Sequence, residues 1–591
     1  MSEELPRKDW AEIYKCLSDG APVTVENALI EIPQTLRHGR VAREFNLINC
    51  VVRGAFTATR VEFQESVSFE GTTFENGLNL DGCSIDGNLY VNGAVIKEKT
   101  SSKGLTVARQ AFFDGCTFEV EPNFVLAHFG PFTSFQKVVF AAGATFIRAT
   151  FDGYLALNNL PDCRGPVVLS LATVGGPLDL SKSKFLGSLT GNSMKVNGAI
   201  ILTDTEFGPD ATLSLFRATV EGQLKLERCT FKNEKVVCLN LGGIAVTGGC
   251  EMNHVVCLGG FQMNDARISR FLWIGKEHTK HDTFFARGFN LSSLRLDGAL
   301  TCVGIAFGPP PKDGAESPIA PDDKVEPPDF SGMRIDDRVY IMGCKFPRGA
   351  NFNRADISGV FGLSASLKRS VSFEGTRFQK AARFLPGCVL EQGADFYFAQ
   401  FGDEANFGGA RIAGQLNLSY ARLNDSLLFD HKGDIVQFSD EKVFARVLLR
   451  GCTYIRLVLP AEYAGLKEFL ARVPATDKNS FVFLEQYLRK SGRRELANQV
   501  RTHWNECELA QMPVPSFRWF WRSAHKYMTR YGTTPAILLT VAVIIGLANV
   551  AAPYFGMPEL WLKTFQVVSA TSGAFLLSLA ADTLRRRVWP E

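Results

Sequence analysis

Large apolar residues recur along most of this chain at alternating steps of five and six residues. The pattern is clearest in one run of seven: Phe330, Ile335, Ile341, Phe346, Phe352, Ile357 and Leu363. An amphipathic helix would place apolar residues at i+3 and i+4, and a half-buried strand would alternate them with polar residues. Steps of five and six instead suit short extended segments, each pointing one large side chain inward, joined by tight corners.

Residues 11 apart also match, so two such units predict a coil of about 22 residues across positions 45–459. Gly, Asn and Asp between the large residues supply the corners. Successive coils would stack as parallel strands about 4.8 Å apart and place large residues on large ones. The core ladder expected from this register is Phe330, Ile341, Phe352, Leu363, Phe396, Phe407, Leu418 and Phe429.

The pattern resembles the pentapeptide-repeat family, whose motif is a small residue, Asp or Asn, Leu or Phe, and two polar or Gly residues. In this chain the motif appears as Ala355-Asp356-Ile357-Ser358-Gly359 and more loosely as Cys83-Ser84-Ile85-Asp86-Gly87. The resemblance implies a mainly β fold, a right-handed quadrilateral β-helix. The alternating six-residue step departs from the strict five of the family, so a regular square cross-section does not follow from it.

Three segments interrupt the repeat. Residues 308–329 are rich in Pro and Asp and predict a disordered surface loop. Residues 97–104 and 275–283 are interpreted as shorter insertions. Insertions on one side of a solenoid often mark its binding face, and tolerated loops without a function are the alternative.

Helical periodicity flanks the repeat on both sides. Residues 1–44 are predicted to form an N-terminal cap, with an amphipathic helix over 6–18. Residues 460–511 are predicted to form a helical capping subdomain, in which Gly492 separates the second helix from the third. Caps of this kind would cover the open ends of a stacked sheet, which otherwise invite edge-to-edge growth.

Two apolar stretches follow, at 535–552 and 560–581, and each is long enough to cross a bilayer. They predict a two-helix transmembrane hairpin over 535–581, after a basic-aromatic juxtamembrane segment at 512–534 and before a basic tail at 582–591. By the positive-inside rule, the β-helix and both termini are expected on the cytoplasmic side of a bacterial inner membrane. A buried helical hairpin in a soluble protein is the alternative.

Basic and aromatic residues flank this hairpin, as expected of residues that anchor at a lipid headgroup layer. The predicted interface residues are Arg518, Trp519, Trp521, Arg522, Lys526, Arg530, Tyr531, Arg585, Arg586 and Arg587. Small and hydroxyl residues in the second helix permit close helix packing, within the hairpin or between protomers, and a pore lining is the alternative. The residues in question are Lys563, Ser569, Thr571, Ser572 and Gly573.

The net charge of +3 is unevenly distributed. Residues 512–591 carry eight basic and three acidic side chains, which leaves 56 basic and 58 acidic side chains, or −2, for residues 1–511. A nucleic-acid-binding body would be strongly basic, so no nucleic-acid partner is expected. The basic excess instead lies beside the apolar stretches, which favours lipid as a partner.

The fourteen cysteines contain no C-x-x-C pair and no zinc-finger spacing. Six of them stand two residues before an apolar residue, in a slot that Ala355 and Ala410 fill elsewhere: Cys50, Cys83, Cys116, Cys229, Cys344 and Cys388. Free cysteine behaves as a small buried apolar residue, so reduced core cysteines are expected. A redox or metal role is the alternative.

No catalytic, cofactor-binding or metal-ligating residue is predicted, and neither a cofactor nor a small-molecule substrate. The nearest glycine-rich stretch, Gly242-Gly243 to Gly248-Gly249, lies inside the repeat with no helix after it, so it is interpreted as corners rather than as a dinucleotide site. His278 and His281 form an H-x-x-H pair without a further identifiable ligand, which favours a polar loop over a metal site.

The segment FVFLEQYLRKSGRRELANQVRTHWNE, followed by FWRSAHKYMTRYGTTP, is similar to a bacterial group of membrane-associated pentapeptide-like proteins. Some members of that group are labelled membrane-associated oxidoreductases. Three functional hypotheses follow. The first is a non-enzymatic, membrane-anchored scaffold that presents a rigid surface to a protein partner or to itself. The second is a membrane effector whose hairpins assemble into a pore, for example in stress or phage defence, and the third is the oxidoreductase.

Overall fold

The computed structural model describes residues 5–513, apart from 33–34, 38, 236, 276–282, 308–325, 432–433, 436, 439–445 and 459–462, together with Arg518 and Ser523. The chain is a parallel β-solenoid of about 18 turns, followed by a short helical region. The predicted mainly β solenoid and the predicted coil length of about 22 residues are confirmed.

A regular coil contains four short strands, which define four faces of the solenoid. In one coil these are Phe45–Ile48 on face 1, Val51–Arg53 on face 2, Phe56–Thr59 on face 3 and Glu62–Phe63 on face 4. Each of these strands pairs in parallel with the equivalent strand of the next coil, so Phe45 lies beside Val67. The same register holds on the other three faces.

Face 1 carries the longest strands, and two of them continue onto face 2, namely Val339–Phe346 and Phe361–Leu367. The other strands of face 1 are Val23–Glu26, Phe45–Ile48, Val67–Ser68, Leu89–Tyr90, Gln110–Phe112, Phe132–Ser134, Tyr154–Ala156, Leu178–Asp179, Ile200–Thr203, Leu224–Glu227, Cys250–Asn253, Phe271–Ile274, Ala299–Val303, Ala382–Phe384, Ala405–Asn406, Ser426–Leu428 and Arg456–Val458. Those of face 2 are Arg7–Asp9, Leu29–Glu31, Val51–Arg53, Thr73–Phe74, Val95–Ile96, Thr117–Phe118, Val139–Phe140, Lys184–Phe185, Glu206–Phe207, Thr230–Phe231, Val256–Cys257, Thr283–Phe285, Ile305–Phe307, Val389–Leu390, Arg411–Ile412 and Gln437–Phe438.

Faces 3 and 4 are built from shorter strands. Those of face 3 are Leu36–Arg37, Phe56–Thr59, Leu78–Asn79, Thr100–Ser101, Ala144–Thr145, Val167–Val168, Leu189–Thr190, Leu213–Ser214, Val237–Asn240, Gly260–Gln262, Phe289–Asn290, Ala350–Asn351, Val371–Ser372, Gly393–Asp395 and Gln415–Asn417. Those of face 4 are Arg40–Val41, Glu62–Phe63, Ser84–Ile85, Thr106–Val107, His128–Phe129, Thr150–Phe151, Thr173–Val174, Lys195–Val196, Thr219–Val220, Ala245–Val246, Arg267–Ile268, Arg295–Leu296, Arg334–Ile335, Asp356–Ile357, Arg377–Phe378, Gln400–Phe401 and Arg422–Leu423.

The corners explain why the sequence alternates steps of five and six. A five-residue step crosses a tight turn, as where Cys83 N donates to the carbonyl of Leu80 at 3.2 Å and Gly82 has φ +64°. A positive φ at the third residue is what a type II turn requires. The small residue of the motif closes this turn and is buried, which is why Cys83 occupies it.

Glycine is required at many of the six-residue corners because adjacent coils approach too closely for a side chain. At Gly153, an added Cβ would lie 2.1 Å from the carbonyl oxygen of Pro131 in the preceding coil. Real Cβ atoms do not approach a backbone oxygen so closely, so any side chain there would force the coils apart.

The core consists of apolar ladders in which equivalent residues of successive coils stack. On face 3, the rings of Phe330, Phe352, Phe373 and Phe396 lie face to face, with centroids 4.4, 4.9 and 4.7 Å apart. The eight predicted ladder residues are all buried. Ladder residues that are 11 positions apart in the chain lie on opposite faces, face 1 and face 3. Ladder residues that are one coil apart stack directly on each other.

Insertions lengthen particular coils without breaking the ladders. On face 4, Arg267 pairs with Arg295, and Arg295 pairs with Arg334, so both connections are longer than a regular coil. The cores of the two predicted insertions, 276–282 and 308–325, lie outside the described residues. The loop predicted at 308–329 extends too far. Its last residue, Asp329, forms parallel β-bridges to Asn290 and Asn351 and therefore belongs to face 3.

The predicted insertion at 97–104 is wrong. This segment contains the strand Thr100–Ser101, which pairs with Leu78–Asn79 at the spacing of a regular coil. Its charged residues occupy solvent-facing corners, while Thr100 and Ser101 are buried. A polar composition therefore does not distinguish an insertion from a coil whose corner happens to be charged.

A helix precedes the first full coils. Helix α1 spans Trp10–Ser18, and Asp9 caps it by accepting a hydrogen bond from the backbone of Ala11. Its buried face consists of Trp10, Ile13 and Leu17. The Trp10 ring packs edge-on against Phe56, with centroids 6.2 Å apart, so the apolar face of the helix covers the aromatic core of an early coil.

A second compact unit contains residues 417–420 and 446–452 together with three helices. These helices are α2 at Tyr463–Arg472, α3 at Lys478–Lys490 and α4 at Arg494–Gln511. The predicted helical region is confirmed, and Gly492 with φ +77° separates α3 from α4. Within the unit, the ring of Phe481 packs against that of Trp504 at 5.2 Å.

No helix among the described residues is both long and apolar enough to span a bilayer. The predicted hairpin at 535–581 lies outside the described residues.

Candidate interaction surface

Four aromatic side chains form a ladder on the outside of face 1. In the strands Leu89–Tyr90 and Gln110–Phe112 of this face, buried inward residues alternate with outward residues. Among the outward residues, Tyr90 stacks on Phe112 at 5.5 Å, Phe112 contacts Phe132 at 5.6 Å, and Phe132 stacks on Tyr154 at 5.6 Å. All four rings are partly exposed. We call these residues, Tyr90, Phe112, Phe132 and Tyr154, the aromatic ladder.

The register of the strands produces the ladder. Tyr90 pairs directly with Phe112, and Phe132 pairs directly with Tyr154. Between Phe112 and Phe132 the ladder shifts by two residues along the strand, because Phe112 pairs with Ser134 rather than with Phe132. The rings remain in contact across this step, so one apolar strip spans four coils.

Polar groups bound the ladder at both ends. The amide of Asn88 donates to the Tyr90 hydroxyl at 2.8 Å, and the Tyr154 hydroxyl donates to Asp179 at 3.1 Å. Burial, followed by the charge of Asp179, raises the pKa of Tyr154 to about 12. Burial alone would raise the pKa of Asp179, but hydrogen bonds led by that from Ser181 outweigh it and lower this pKa. Both hydroxyls are therefore held by neighbours, and the ring surfaces remain apolar.

Further outward-facing aromatic side chains lie in later coils of face 1. Trp273 is 38% exposed. It pairs in register with Thr301 of the next coil, which in turn pairs with Tyr340. The Tyr340 ring lies over Gly362 of the next coil, where an added Cβ would come within 2.7 Å of the ring. Arg338 stacks over the same ring at 5.9 Å. Lys225 and Glu251 lie between these aromatics and the ladder, so the ladder is the uncharged part of the face.

Face 4 presents a contrasting, charged column. Arg267, Arg295 and Arg334 are in register in three successive coils, and all three are exposed. Arg334 forms an exposed ion pair with Asp336 at 3.5 Å. Like charges one coil apart repel each other, so this column is suited to an anionic group and unsuited to a second copy of itself.

No group of three or more metal-ligating side chains occurs in the part of the chain that the structure describes. The H-x-x-H pair, His278 and His281, lies outside that part. Gly242, Gly243, Gly248 and Gly249 lie at or beside corners, and Gly243 has φ +65°.

The six cysteines in the small-residue slot are all buried and free. The sulphurs of five of them point at backbone carbonyls, as Cys116 does toward Val91 at 2.9 Å. Burial raises the pKa of the Cys83 thiol to about 11 and that of Cys116 to about 12. Thiols with raised pKa values are poor nucleophiles at neutral pH, which agrees with a packing role for these residues.

Most predicted membrane residues lie outside the described part of the chain. Arg518 is the exception among the interface residues, and it is helical and exposed. The interface residues from Trp519 to Arg587 and the packing residues Lys563, Ser569, Thr571, Ser572 and Gly573 stay predictions.

Sequence reasoning missed the aromatic ladder. The repeat predicts the inward positions only and leaves the outward residues as ordinary solvent-facing ones. A signal was present, since Tyr90 and Phe112 are one coil length apart and each directly precedes an inward apolar residue. Phe132 and Tyr154 repeat the spacing, shifted by two residues.

In comparisons with known proteins, no family model, no curated protein and no solved structure matched this chain.

Proposed function

We propose that this chain is a non-enzymatic scaffold whose solenoid is a right-handed, quadrilateral β-helix of the pentapeptide-repeat type. In this proposal the hairpin at 535–581 anchors it to the bacterial inner membrane, with the β-helix on the cytoplasmic side. The observation that carries the proposal is the aromatic ladder on face 1. A contiguous, partly exposed apolar strip marks an interaction surface.

The occupant that we propose for the ladder is a second copy of this chain. The four ladder side chains carry no charge, so two copies can place ladder against ladder without opposing like charges. The same arrangement on face 4 would bring Arg267, Arg295 and Arg334 against their own copies. Tyrosine and phenylalanine are also among the side chains enriched in interface cores.

The size of the ladder predicts a weak pair. A stable interface buries about 800 Å² on each partner, and four rings that are already partly buried supply less than this. Tethering both copies to one membrane would raise their effective concentration and favour the pair. The anchor and the ladder therefore act together in this account.

The mass of the full chain in detergent, measured by light scattering over a range of concentrations, tests the pairing. We expect the wild type to move from monomer to dimer as concentration rises, and the variant Phe112→Ser/Phe132→Ser to stay monomeric. The matched control is Val95→Ser/Val139→Ser, which removes two partly exposed apolar side chains from face 2 of nearby coils. It should dimerise as the wild type does.

Two results would overturn the pairing. If the ladder variant dimerises like the wild type, the ladder is not the contact. If the wild type forms a defined ring of many copies, the pore-forming effector is the better hypothesis, and liposome conductance would follow. Thermal unfolding of each variant checks that the serine substitutions leave the solenoid folded.

The anchor is tested separately by deleting residues 512–591. The truncated chain should appear in the soluble fraction after membrane sedimentation, while the full chain pellets. If the truncated chain still pellets with membranes, the hairpin is not the anchor.

A further inference from the structure

Two buried cysteines face each other inside the solenoid. Cys238 lies in the face 3 strand Val237–Asn240, and Cys257 lies in the face 2 strand Val256–Cys257. Their Sγ atoms are 2.8 Å apart. Both side chains are fully buried. A disulfide bond requires sulphurs about 2.0 Å apart, so the two atoms need to move by less than about 1 Å to be joined.

A β-bulge creates this contact. On face 3, Val237 pairs with Gly260 and Leu239 with Phe261, so Cys238 is an extra residue in its strand. Inward and outward residues normally alternate, yet Cys238 and Leu239 are both buried. Bulges re-aim side chains in this way and are common beside functional sites.

Carbonyl contacts are common to the buried cysteines, since Cys238 and Cys257 also point at Gly260 and Gly259, at 3.6 and 3.7 Å. The sulphurs of Cys83 and Cys116 each contact a backbone carbonyl of the preceding coil, at 3.1 and 2.9 Å. Cys344 likewise points at the carbonyl of Cys302 at 3.6 Å rather than at its sulphur. The small-residue slot therefore explains those cysteines, but it does not explain a pair of facing thiols.

We propose that Cys238 and Cys257 are a redox pair that closes to an intrachain disulfide when hydrogen peroxide reaches the bulge. The Cys238 thiolate attacks the peroxide and becomes a sulfenic acid, and hydroxide leaves. The Cys257 thiol then attacks this sulphur, the S–S bond forms, and water leaves. Two thiols lose two electrons in total, and the peroxide is reduced to two waters.

The surroundings support this assignment of roles. The hydrogen bond with Cys257, together with the nearby charge of Arg287, lowers the pKa of the Cys238 thiol, whereas burial raises that of Cys257. A thiolate is the form that attacks peroxide. Access requires local opening, and the coil that contains the bulge is longer than a regular one, since its face 4 strand pairs Thr219 with Ala245. Local opening of a folded chain takes less free energy than global unfolding, so a buried segment can be reached transiently.

The test uses the full chain in detergent, treated with hydrogen peroxide. Remaining thiols are then blocked with N-ethylmaleimide in denaturant, and the chain is digested without reduction for mass spectrometry. We expect a peptide pair linking Cys238 to Cys257 that disappears on reduction. Exposed Cys16 serves as the internal control, because it should be oxidised in the same sample.

Two variants sharpen the test. Cys238→Ala should lose the linked peptide, and Cys83→Ala should keep it. The linked wild type should also melt a few degrees higher than the reduced form, a shift that reductant reverses and that Cys238→Ala does not show. The proposal is overturned if Cys16 is oxidised while Cys238 and Cys257 both carry the blocking group, or if Cys257 is linked to another cysteine.

Discussion

The rings of Phe330 and Phe352 stack face to face, with centroids 4.4 Å apart and planes 3° from parallel. Because the two residues lie one coil apart in the chain, their rings stack at a distance close to the spacing of about 4.7–4.9 Å between hydrogen-bonded strands. The core is therefore a set of columns in which each side chain depends on the equivalent residues above and below it.

The central position of such a column should not tolerate a charge. Phe352→Asp is expected to lower the free energy of unfolding by more than about 4 kcal/mol, since it creates a cavity and buries a carboxylate between Phe330 and Phe373. Phe352→Leu keeps an apolar side chain and should cost about 1–2 kcal/mol. Thermal or denaturant unfolding of the full chain measures both. Near-wild-type stability for Phe352→Asp would contradict the register.

Two glycines should respond differently to alanine. Gly153→Ala places a Cβ against the carbonyl of Pro131 and is expected to cost about 2–4 kcal/mol, because two backbone segments must separate. At Gly104 an added Cβ would meet no atom within 4 Å, but the backbone has φ +64°. Gly104→Ala is therefore expected to cost only the backbone strain, about 1 kcal/mol. Equal costs in denaturant unfolding would show that the close approach of the coils does not govern the Gly153 corner.

Leu171 occupies an unfavourable conformation on the surface. Its φ is +61° and it is 48% exposed, so it has strain without the benefit of burial. Leu171→Asn is expected to raise the free energy of unfolding by about 0.5–1 kcal/mol, because asparagine tolerates this region better. The control is Val120→Asn, at an exposed residue outside the left-handed region. A gain of the same size at Val120 would mean that lost apolar exposure, not relieved strain, is responsible.

Stability should depend on Tyr154 at alkaline pH. The pKa of this phenol is raised to about 12 in the folded chain, so its contribution is complete below about pH 10 and is lost as pH rises toward 12. Between those values the wild type should lose more stability than Tyr154→Phe, which has no group to ionise. Melting temperatures of the two chains from pH 8 to 12 measure this. Parallel curves would contradict the environment described for Tyr154.

The coil could be predicted from the sequence because the inward positions obey one physical rule throughout. Each coil must bury a large residue on every face, so residues such as Phe330 and Phe352 fix both the spacing and the stacking. The helical region was predictable for a similar reason, since Phe469 and Leu470 follow Leu466 at i+3 and i+4 and are buried with it. Leu488 likewise follows Leu484 at i+4 on the buried face of α3.

The outer surface could not be predicted in the same way. Outward positions are filled without a common constraint, so Tyr90 and Phe112 look like isolated surface aromatics until the register brings them together. The bulge at Cys238 was equally invisible, because an extra residue in one strand changes the pairing without changing the composition. The charged corners at 97–104 likewise predict an insertion where the structure has a regular coil.

The central claim, that the aromatic ladder pairs with a second copy, is tested most directly by a photo-crosslinking amino acid in place of Phe112 in the full chain in membranes. The control position is Thr145, which is partly exposed on face 3 of a nearby coil. We predict a covalent product of twice the 65.1 kDa chain mass from position 112 and none from position 145. No dimer from position 112, an equal yield from both positions, or an adduct of another mass would contradict the account.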